Sequence, residues 1–349
     1  MVEKQARGGK IMEEKLVSII TPCFNGEDFL DRFFNTILNQ TYKNIELIFI
    51  NDGSTDLTEQ IALSYKPLIE ADKHSFIYIY QENAGQAAAV NKGIKIFSGD
   101  YLMWHDADDI LDKNNLRRKV EFMEAHPQFG IAQCYGKEVH ERDLGKKLRD
   151  FGRIPPSGED NLFEDLIMKK NVEYSPGLFI VRRSAFLAAN PQRDIFESRR
   201  GQNMQMLLPV VYNFPCGYIR EDLFTYVIRE QSHSHERITM EELIKRSGER
   251  KIMLLETLNR IHMKDRAYYT DRVEEVLLRE QFDVAYGLKD KDAIKTKYKE
   301  LKGKKYATSR DALIYYSSRL AVVNLLLKGL KSIRAGVKYL IRMNKWRSA

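Results

Sequence analysis

LVSIITPCFNGEDFLDRFFNTILNQTYKNIELIFINDGSTD, residues Leu16–Asp56, decides the fold of this chain. LVSIIT (Leu16–Thr21) and IELIFI (Ile45–Ile50) are short apolar runs, as strands covered on both faces read. Between them, Glu27–Asn39 sets Phe29, Leu30, Phe33, Phe34, Ile37 and Leu38 at helical spacing. Outward from this unit, IELIFI runs into NDGSTD, where Asp56 and Glu59 have capping-box spacing for another helix. FIYIY (Phe76–Tyr80) reads as a further strand. Gly85–Ser98 reads as a helix with Gly99 at its C-terminal stop, and YLMW (Tyr101–Trp104) as a fourth strand. Strands alternating with helices predict a Rossmann-like, mostly parallel sheet with helices on both faces. Ligands bind such sheets beyond the carboxyl ends of the strands. The polar clusters TPCFNGE, NDGSTD, QENAGQ and HDADD all fall at those ends.

The rest of the chain is less regular. Residues 136–237 are turn-rich, with Pro155, Pro156, Pro176, Pro191, Pro209 and Pro215, and from Met240 onward the pattern is helical. The expected organisation is a lead-in (1–15), an α/β domain (16–237, with halves 16–135 and 136–237) and a helical C-terminal region (238–349). At 349 residues, 43% hydrophobic and 30% charged, the composition is that of a soluble α/β protein. Cys23, Cys134 and Cys216 are odd in number and lack CxxC spacing, against a disulfide framework or a structural zinc site. Reduced thiols in a cytoplasmic protein are expected. The first fourteen residues lack a signal-peptide apolar core, and no run of 18 apolar residues reads as a transmembrane helix.

HDADD (His105–Asp109) is the strongest chemical signal. Two carboxylates two residues apart at a strand end can address one hard divalent ion, Mg2+ or Mn2+, and such an ion clamps a diphosphate. Asp108 can ligate the metal directly, and Asp106 can reach a ribose or a metal-bound water. The alternative is an acidic turn capping the following helix. In NDGSTD, Asp52 can accept the N–H of a uracil-type ring, and Gly53 permits a positive φ. TPCFNGE can set backbone N–H groups and the Asn25 amide near a nucleotide, at a helix N-terminus that favours an anion.

SIITPCFNGEDFLDRFFNTILNQTYKNIELIFINDGSTD, QENAGQAAAVNKGI and GDYLMWHDADD together resemble, in order and spacing, the family-2 glycosyltransferases of the GT-A fold. The resemblance runs from about Leu16 to Arg237. It implies inverting transfer, mostly from UDP-sugars, with Mn2+ or Mg2+. It implies nucleotide contacts at Thr21, Pro22 and Asn25, a base-binding Asp52, and nucleotide-sugar contacts at Asn83, Asn91, Asp106 and Ala107. Asp108 is the implied metal ligand.

One departure concerns the general base that inverting transfer requires. GQNMQMLLP (Gly201–Pro209) puts Gln202 and Asn203 where the family has a Glu-Asp pair, and an amide is no general base. The segment resembles a Gly-Gln-Asn-aromatic-Gln motif of some bacterial polysaccharide transferases, with Met204 for the aromatic. Asp194 and Glu197, just upstream, are the nearest carboxylates, as bases or as plain surface charges, beside Asn203. In the segment Arg229–His235, His233, with His235 next, is the candidate third metal ligand; the alternative is a solvated polar loop.

Basic residues stand at 319, 328, 331, 334, 338, 342, 345 and 347, with no acids from 319 to 349, and Lys328, Lys331, Arg334, Lys338, Arg342 and Lys345 wind onto one helical side beside Leu330, Ile333, Val337, Leu340 and Ile341. This pattern suits an anionic membrane surface, here the inner face of the cell membrane, or else a helix packed on the protein itself. No nucleic-acid module accompanies it. The expected partners are a nucleotide sugar and a glycan acceptor, lipid-linked in the family's usual manner. A scaffold protein that only binds nucleotide sugars is the alternative. A dinucleotide oxidoreductase is set aside, because TPCFNGE stands where GxGxxG would be needed.

Overall fold

The computed structural model describes residues 14–152, 161–198, 201–229 and 239–319. The first half is the predicted alternation: β1 (Val17–Cys23), α1 (Leu30–Leu38), β2 (Ile45–Asp52), α2 (Thr58–Ala71), β3 (Ser75–Gln81), α3 (Gln86–Ile96) and β4 (Tyr101–Trp104). Next come β5 (Ile110–Leu111), α4 (Asn115–Ala125), β6 (Ile131–His140), β7 (Asp143–Phe151), α5 (Leu162–Met168), β8 (Phe179–Arg182), α6 (Arg183–Ala189), α7 (Gln202–Asn213) and β9 (Cys216–Ile228). The sheet order is β3-β2-β1-β4-β8-β6-β9-β5, with β7 hairpinned onto β6. β3, β2, β1 and β4 are mutually parallel, so their carboxyl ends form one continuous edge. β8 runs antiparallel between β4 and β6, which makes the sheet mixed.

The parallel half is held by aromatic packing. Phe33 and Phe34 of α1 are fully buried against Phe49 of β2, with ring centroids 6.2 and 5.4 Å apart. Each such ring contributes about 1.5–3 kcal/mol by leaving water. Two details differ from the sequence expectation. α1 begins at Leu30 rather than Glu27, because Gly26 O takes the N–H groups of both Phe29 and Leu30 in a tight turn. α3 ends at Ile96, and Gly99 is not its left-handed stop. Gly99 instead lets the chain touch β1: its N–H donates to Ser18 Oγ at 2.8 Å, and a Cβ there would lie 2.6 Å from that oxygen.

From Met240 the described chain is helical: α8 (Met240–Arg260), α9 (Arg266–Gly287), α10 (Lys291–Gly303) and α11 (Ser309–Arg319). The molecule divides into two compact units, Met1–Glu236 with Ile252–Tyr269, and Arg237–Lys251 with Thr270–Ala349. The second unit has its own core, in which Phe282, Ile294, Tyr298, Leu301 and Ile314 meet. None of the described helices is long and apolar enough to cross a membrane.

One buried charge supports the turn after β4. Lys119 on α4 is fully buried and donates Nζ to Gly177 O at 2.7 Å. Gly177 in turn packs so closely that a Cβ would meet His105 Nδ1 at 2.7 Å. Burial pulls the Lys119 ammonium down to about 8. The unfolded chain then binds more protons than the folded one between about 8 and the ordinary 10.5, so stability rises with pH across that window. Lys119→Met removes this dependence. Thermal unfolding at about pH 7 and about pH 9.5 is expected to show the wild type gaining on the order of 2 kcal/mol relative to the variant. Equal responses of the two proteins to pH would contradict a charged, buried Lys119.

Candidate functional site

The loops after β1 and β2 are joined to each other. Asn25, at φ 51°, accepts the Thr55 N–H on its Oδ1 at 3.0 Å, and its own N–H donates to Ser54 Oγ at 2.9 Å. Gly26 N–H donates to Thr58 Oγ1 at 2.7 Å. Glu27 N–H donates to Asp56 Oδ2, and Leu57 N–H donates to Glu27 Oε2, both at 3.0 Å. Asp56 Oδ1 also accepts from Thr58 N–H at 3.0 Å. The N-terminus of α2 is therefore capped by Asp56 together with Glu27 from the neighbouring loop. That replaces the Asp56–Glu59 box expected from spacing; Glu59 faces Tyr78 instead.

Thr21 and Pro22 are buried near the end of β1, where they pair with Phe49 and Ile50 of β2. With Cys23 they end β1 directly before the exposed part of the turn. Phe24, Asn25 and Glu27 are the exposed members of that turn.

Asp52 is 3% exposed and fixes the third loop. Its Oδ1 accepts from Gln81 Nε2 at 2.7 Å and Ala84 N–H at 2.9 Å, and its Oδ2 from Gly85 N–H at 3.0 Å. Asn83 donates Nδ2 to the Asp52 carbonyl at 3.0 Å and is otherwise exposed. Gly53 has φ +74°, and a Cβ there would lie 2.5 Å from Asn83 N, so both the turn and the close approach require glycine. Asn91 is buried, and its amide makes two reciprocal bonds with the Ile195 backbone, at 2.9 and 2.7 Å. It anchors the 190–198 segment.

The HDADD turn lies where β4 ends. His105 is fully buried, with neither ring nitrogen hydrogen-bonded, and burial lowers its pKa to about 3, so it is neutral. Asp109 is buried and accepts the Val227 N–H at 2.9 Å, which ties the turn to β9. Ala107 is buried. Asp112, not HDADD, turns the chain into α4, its Oδ1 accepting the Asn114 N–H at 2.8 Å, so the acidic turn is not a helix cap.

Asp106 and Asp108 remain as two half-buried carboxylates. Burial, then the charge of Asp108, pushes Asp106 up to about 7. Burial also raises Asp108, against the pull of Arg229 and Arg32. Arg32 donates to the Asp108 carbonyl at 2.6 Å, and the Arg229 guanidinium lies 3.8 Å from Asp108 Oδ2, 3.8 Å from Glu141 Oε2 and 4.4 Å over the Phe29 ring. Cys23 lies close by, its thiol held well above the ordinary range by burial and by Asp108 and Asp56.

A recessed pair of like charges is the donor set a hard divalent cation relieves, and Asp106 and Asp108 fit Mn2+ or Mg2+ in that respect. Among the described residues, no group of three His, Cys, Asp or Glu side chains is placed to hold an ion. His233 and His235 lie outside the described residues.

The amides of Gly201–Pro209 are structural ties. Gln202 donates to Gln86 Oε1 at 2.7 Å, Asn203 accepts from Trp104 Nε1 at 3.1 Å, and Gln205 donates to Phe196 O and Ser198 Oγ at 3.0 and 3.1 Å. Asp194 is ion-paired with Arg260 and lines a cavity of about 50 Å³ beside Gln205 and Thr257. That engagement counts against Asp194 as a general base. Glu197 is exposed, on a segment pinned at Ile195, Phe196 and Ser198. Sequence reasoning missed Arg32 and Glu141. Arg32 had a signal, as a lone cation beside the apolar stripe of α1; Glu141, in a hairpin turn, had none.

Comparison with known proteins agrees with this geometry. The family model described as glycosyl transferase family 2 matches residues 18–188. An uncharacterized glycosyltransferase of Rickettsia typhi is 44% identical over 108 residues, 31% of this chain and 32% of that protein, so the match spans about a third of each. Staphylococcus aureus TarS 1–349, solved in complex with UDP-GlcNAc, superposes with a TM-score of 0.59 at 19% identity, covering 92% of both chains. The mannosyltransferase PcManGT of Pyrobaculum calidifontis, solved with GDP-Man and Mn2+, gives a TM-score of 0.53 at 15% identity, covering 92% of this chain and 81% of that one. At these identities the two structures share the fold. The family-model match places residues 18–188 in glycosyltransferase family 2, and the chain has the GT-A fold.

Proposed function

We propose that this chain is an inverting, divalent-cation-dependent glycosyltransferase that moves a sugar, a hexose or N-acetylhexosamine, from a nucleotide-diphosphate donor to a glycan acceptor. The proposed donor is a UDP-sugar. The proposed acceptor is lipid-linked, in the building of a bacterial surface polysaccharide. The observation that carries the reading is the recessed Asp106–Asp108 pair at the end of β4, on the same edge as the joined loops of β1, β2 and β3. Mn2+ or Mg2+ held by Asp108, with Asp106 beside it and His233 completing the set, would offset the charge of a diphosphate leaving group. Asp52 fixes the loop that meets the base, and Asn83 is exposed beside it. Glu197 is the proposed base, since its backbone is clamped while its carboxylate is exposed. TarS with UDP-GlcNAc supports a UDP-sugar, and PcManGT with GDP-Man and Mn2+ supports a metal while making GDP-sugars the next to try.

A second reading, a protein that binds nucleotide sugars without transferring them, rests on the amides at Gln202 and Asn203. One set of measurements separates the two: calorimetry of UDP with Mn2+, and UDP release from UDP-sugars. Asp108→Ala is expected to stay folded and lose metal-dependent UDP binding. Glu197→Gln is expected to bind UDP as the wild type does and to lose about a hundredfold or more in turnover. Wild-type-like binding by folded Asp108→Ala contradicts the metal assignment. Undiminished turnover by Glu197→Gln moves the base elsewhere. Tight binding with no turnover by the wild type favours the second reading.

The proposed location is cytoplasmic, on the inner membrane face, through the basic tail that begins near Arg319, a segment whose residues 320–349 lie outside the described ones. Each surface Lys or Arg adds roughly 1 kcal/mol of attraction to anionic lipid, screened by salt. Truncation before Arg319 is expected to preserve hydrolysis of soluble donor and to abolish co-sedimentation with anionic vesicles. Vesicle binding that ignores lipid charge, or that survives truncation, would contradict the tail as the anchor.

A further inference from the structure

The amide of Asn203 has its orientation fixed by Trp104. Trp104 is the last residue of β4, 1% exposed, and its indole Nε1 donates to Asn203 Oδ1 at 3.1 Å. An indole N–H can only donate, so the amide must present its oxygen to Trp104 and turn Nδ2 away from it. Asn203 is half-buried, and Nδ2 has no partner among the described residues. The backbone around it is held on two sides, by Gln202 to Gln86 at the start of α3 and by Gln205 to the 196–198 segment. A planar donor with two hydrogens is thus fixed against Trp104, the residue that leads from β4 into the HDADD turn.

The sheet order indicates what this donor meets. Along the carboxyl edge, Asp52 and Asn83 follow β2 and β3, Asn25 follows β1, and Asp106 and Asp108 follow β4. A nucleotide diphosphate laid from the Asp52 loop to the Asp106–Asp108 pair places its glycosyl group at the β4 end, where Asn203 is. A neutral amide there offers hydrogen-bond donors to sugar oxygens without adding a third negative charge beside Asp106 and Asp108. We infer that Asn203, held in one orientation by Trp104, donates Nδ2 to an oxygen of the donor's glycosyl group and helps set which sugar is accepted. This inference rests on the donor-site reading above.

The test compares UDP with UDP-sugars by calorimetry on the full chain with Mn2+, using UDP-glucose, UDP-galactose and their N-acetylamino counterparts. Asn203→Ala removes the donor. Asn203→Asp keeps an acceptor for Trp104 and so keeps the anchor, while removing both donor hydrogens. Asn203→Ala is expected to bind UDP within about twofold of the wild type and the preferred UDP-sugar about three- to tenfold more weakly; Asn203→Asp also adds a negative charge that acts on UDP itself, so its loss of UDP-sugar affinity is expected to exceed its own loss of UDP affinity by the same three- to tenfold. Equal weakening of UDP and UDP-sugar, or unchanged affinity for the sugar in folded Asn203→Asp, overturns the inference. A wild type that binds neither UDP nor any of these sugars overturns the donor-site reading, and this inference with it.

Discussion

Glu27 and Asp56 cap each other's turns across two adjacent strands, and the rest of the site depends on that exchange. A loop after a parallel strand has backbone N–H groups that no strand partner satisfies. Here the loop after β1 and the loop after β2 satisfy one another, through Glu27 N–H on Asp56, Leu57 N–H on Glu27 and Thr55 N–H on Asn25. Bonds to ionised groups contribute about 1.5–3 kcal/mol each where desolvated and less where exposed, as these are. Their greater effect is geometric: two loops become one rigid platform beside Asp52.

The edge beyond that platform is electrostatically unfavourable by itself. Asp106, Asp108 and Asp109 occupy four residues, and each carboxyl is raised, with burial as the largest cause. Asp109 is satisfied by β9, and Arg32 and Arg229 offset Asp108. A folded chain retains such a cluster at a cost, and strongly perturbed carboxyls at strand ends mark a candidate functional site. The Arg229 guanidinium, stacked on Phe29 and facing both Asp108 and Glu141, shows the kind of charge this edge attracts.

What the sequence disclosed follows from range. β1, β2, β3 and β4 were legible as short apolar runs, and α1 by its stripe, because buried strands and amphipathic helices are local patterns. HDADD and NDGSTD were legible because strand-end carboxylates are conspicuous. Long-range partnerships were not. The antiparallel β8 between β4 and β6, Gly99 against Ser18, and Asn91 holding Ile195 across 104 residues leave no local trace. The amides at 202 and 203 drew notice as missing acids, yet their ties to Gln86 and Trp104, and that of Gln205 to Ser198, emerge only when distant elements meet.

We propose that the carboxyl edge of the β3-β2-β1-β4 half holds a nucleotide diphosphate. Hydrogen exchange of backbone amides in the full chain, with and without UDP and Mn2+, tests it most directly, because these loops are described by their N–H bonds. Slowed exchange at residues 23–27, 53–58, 82–86 and 105–109 is the predicted result. Unchanged exchange in those loops, with protection confined to the helices of 270–319, would contradict it.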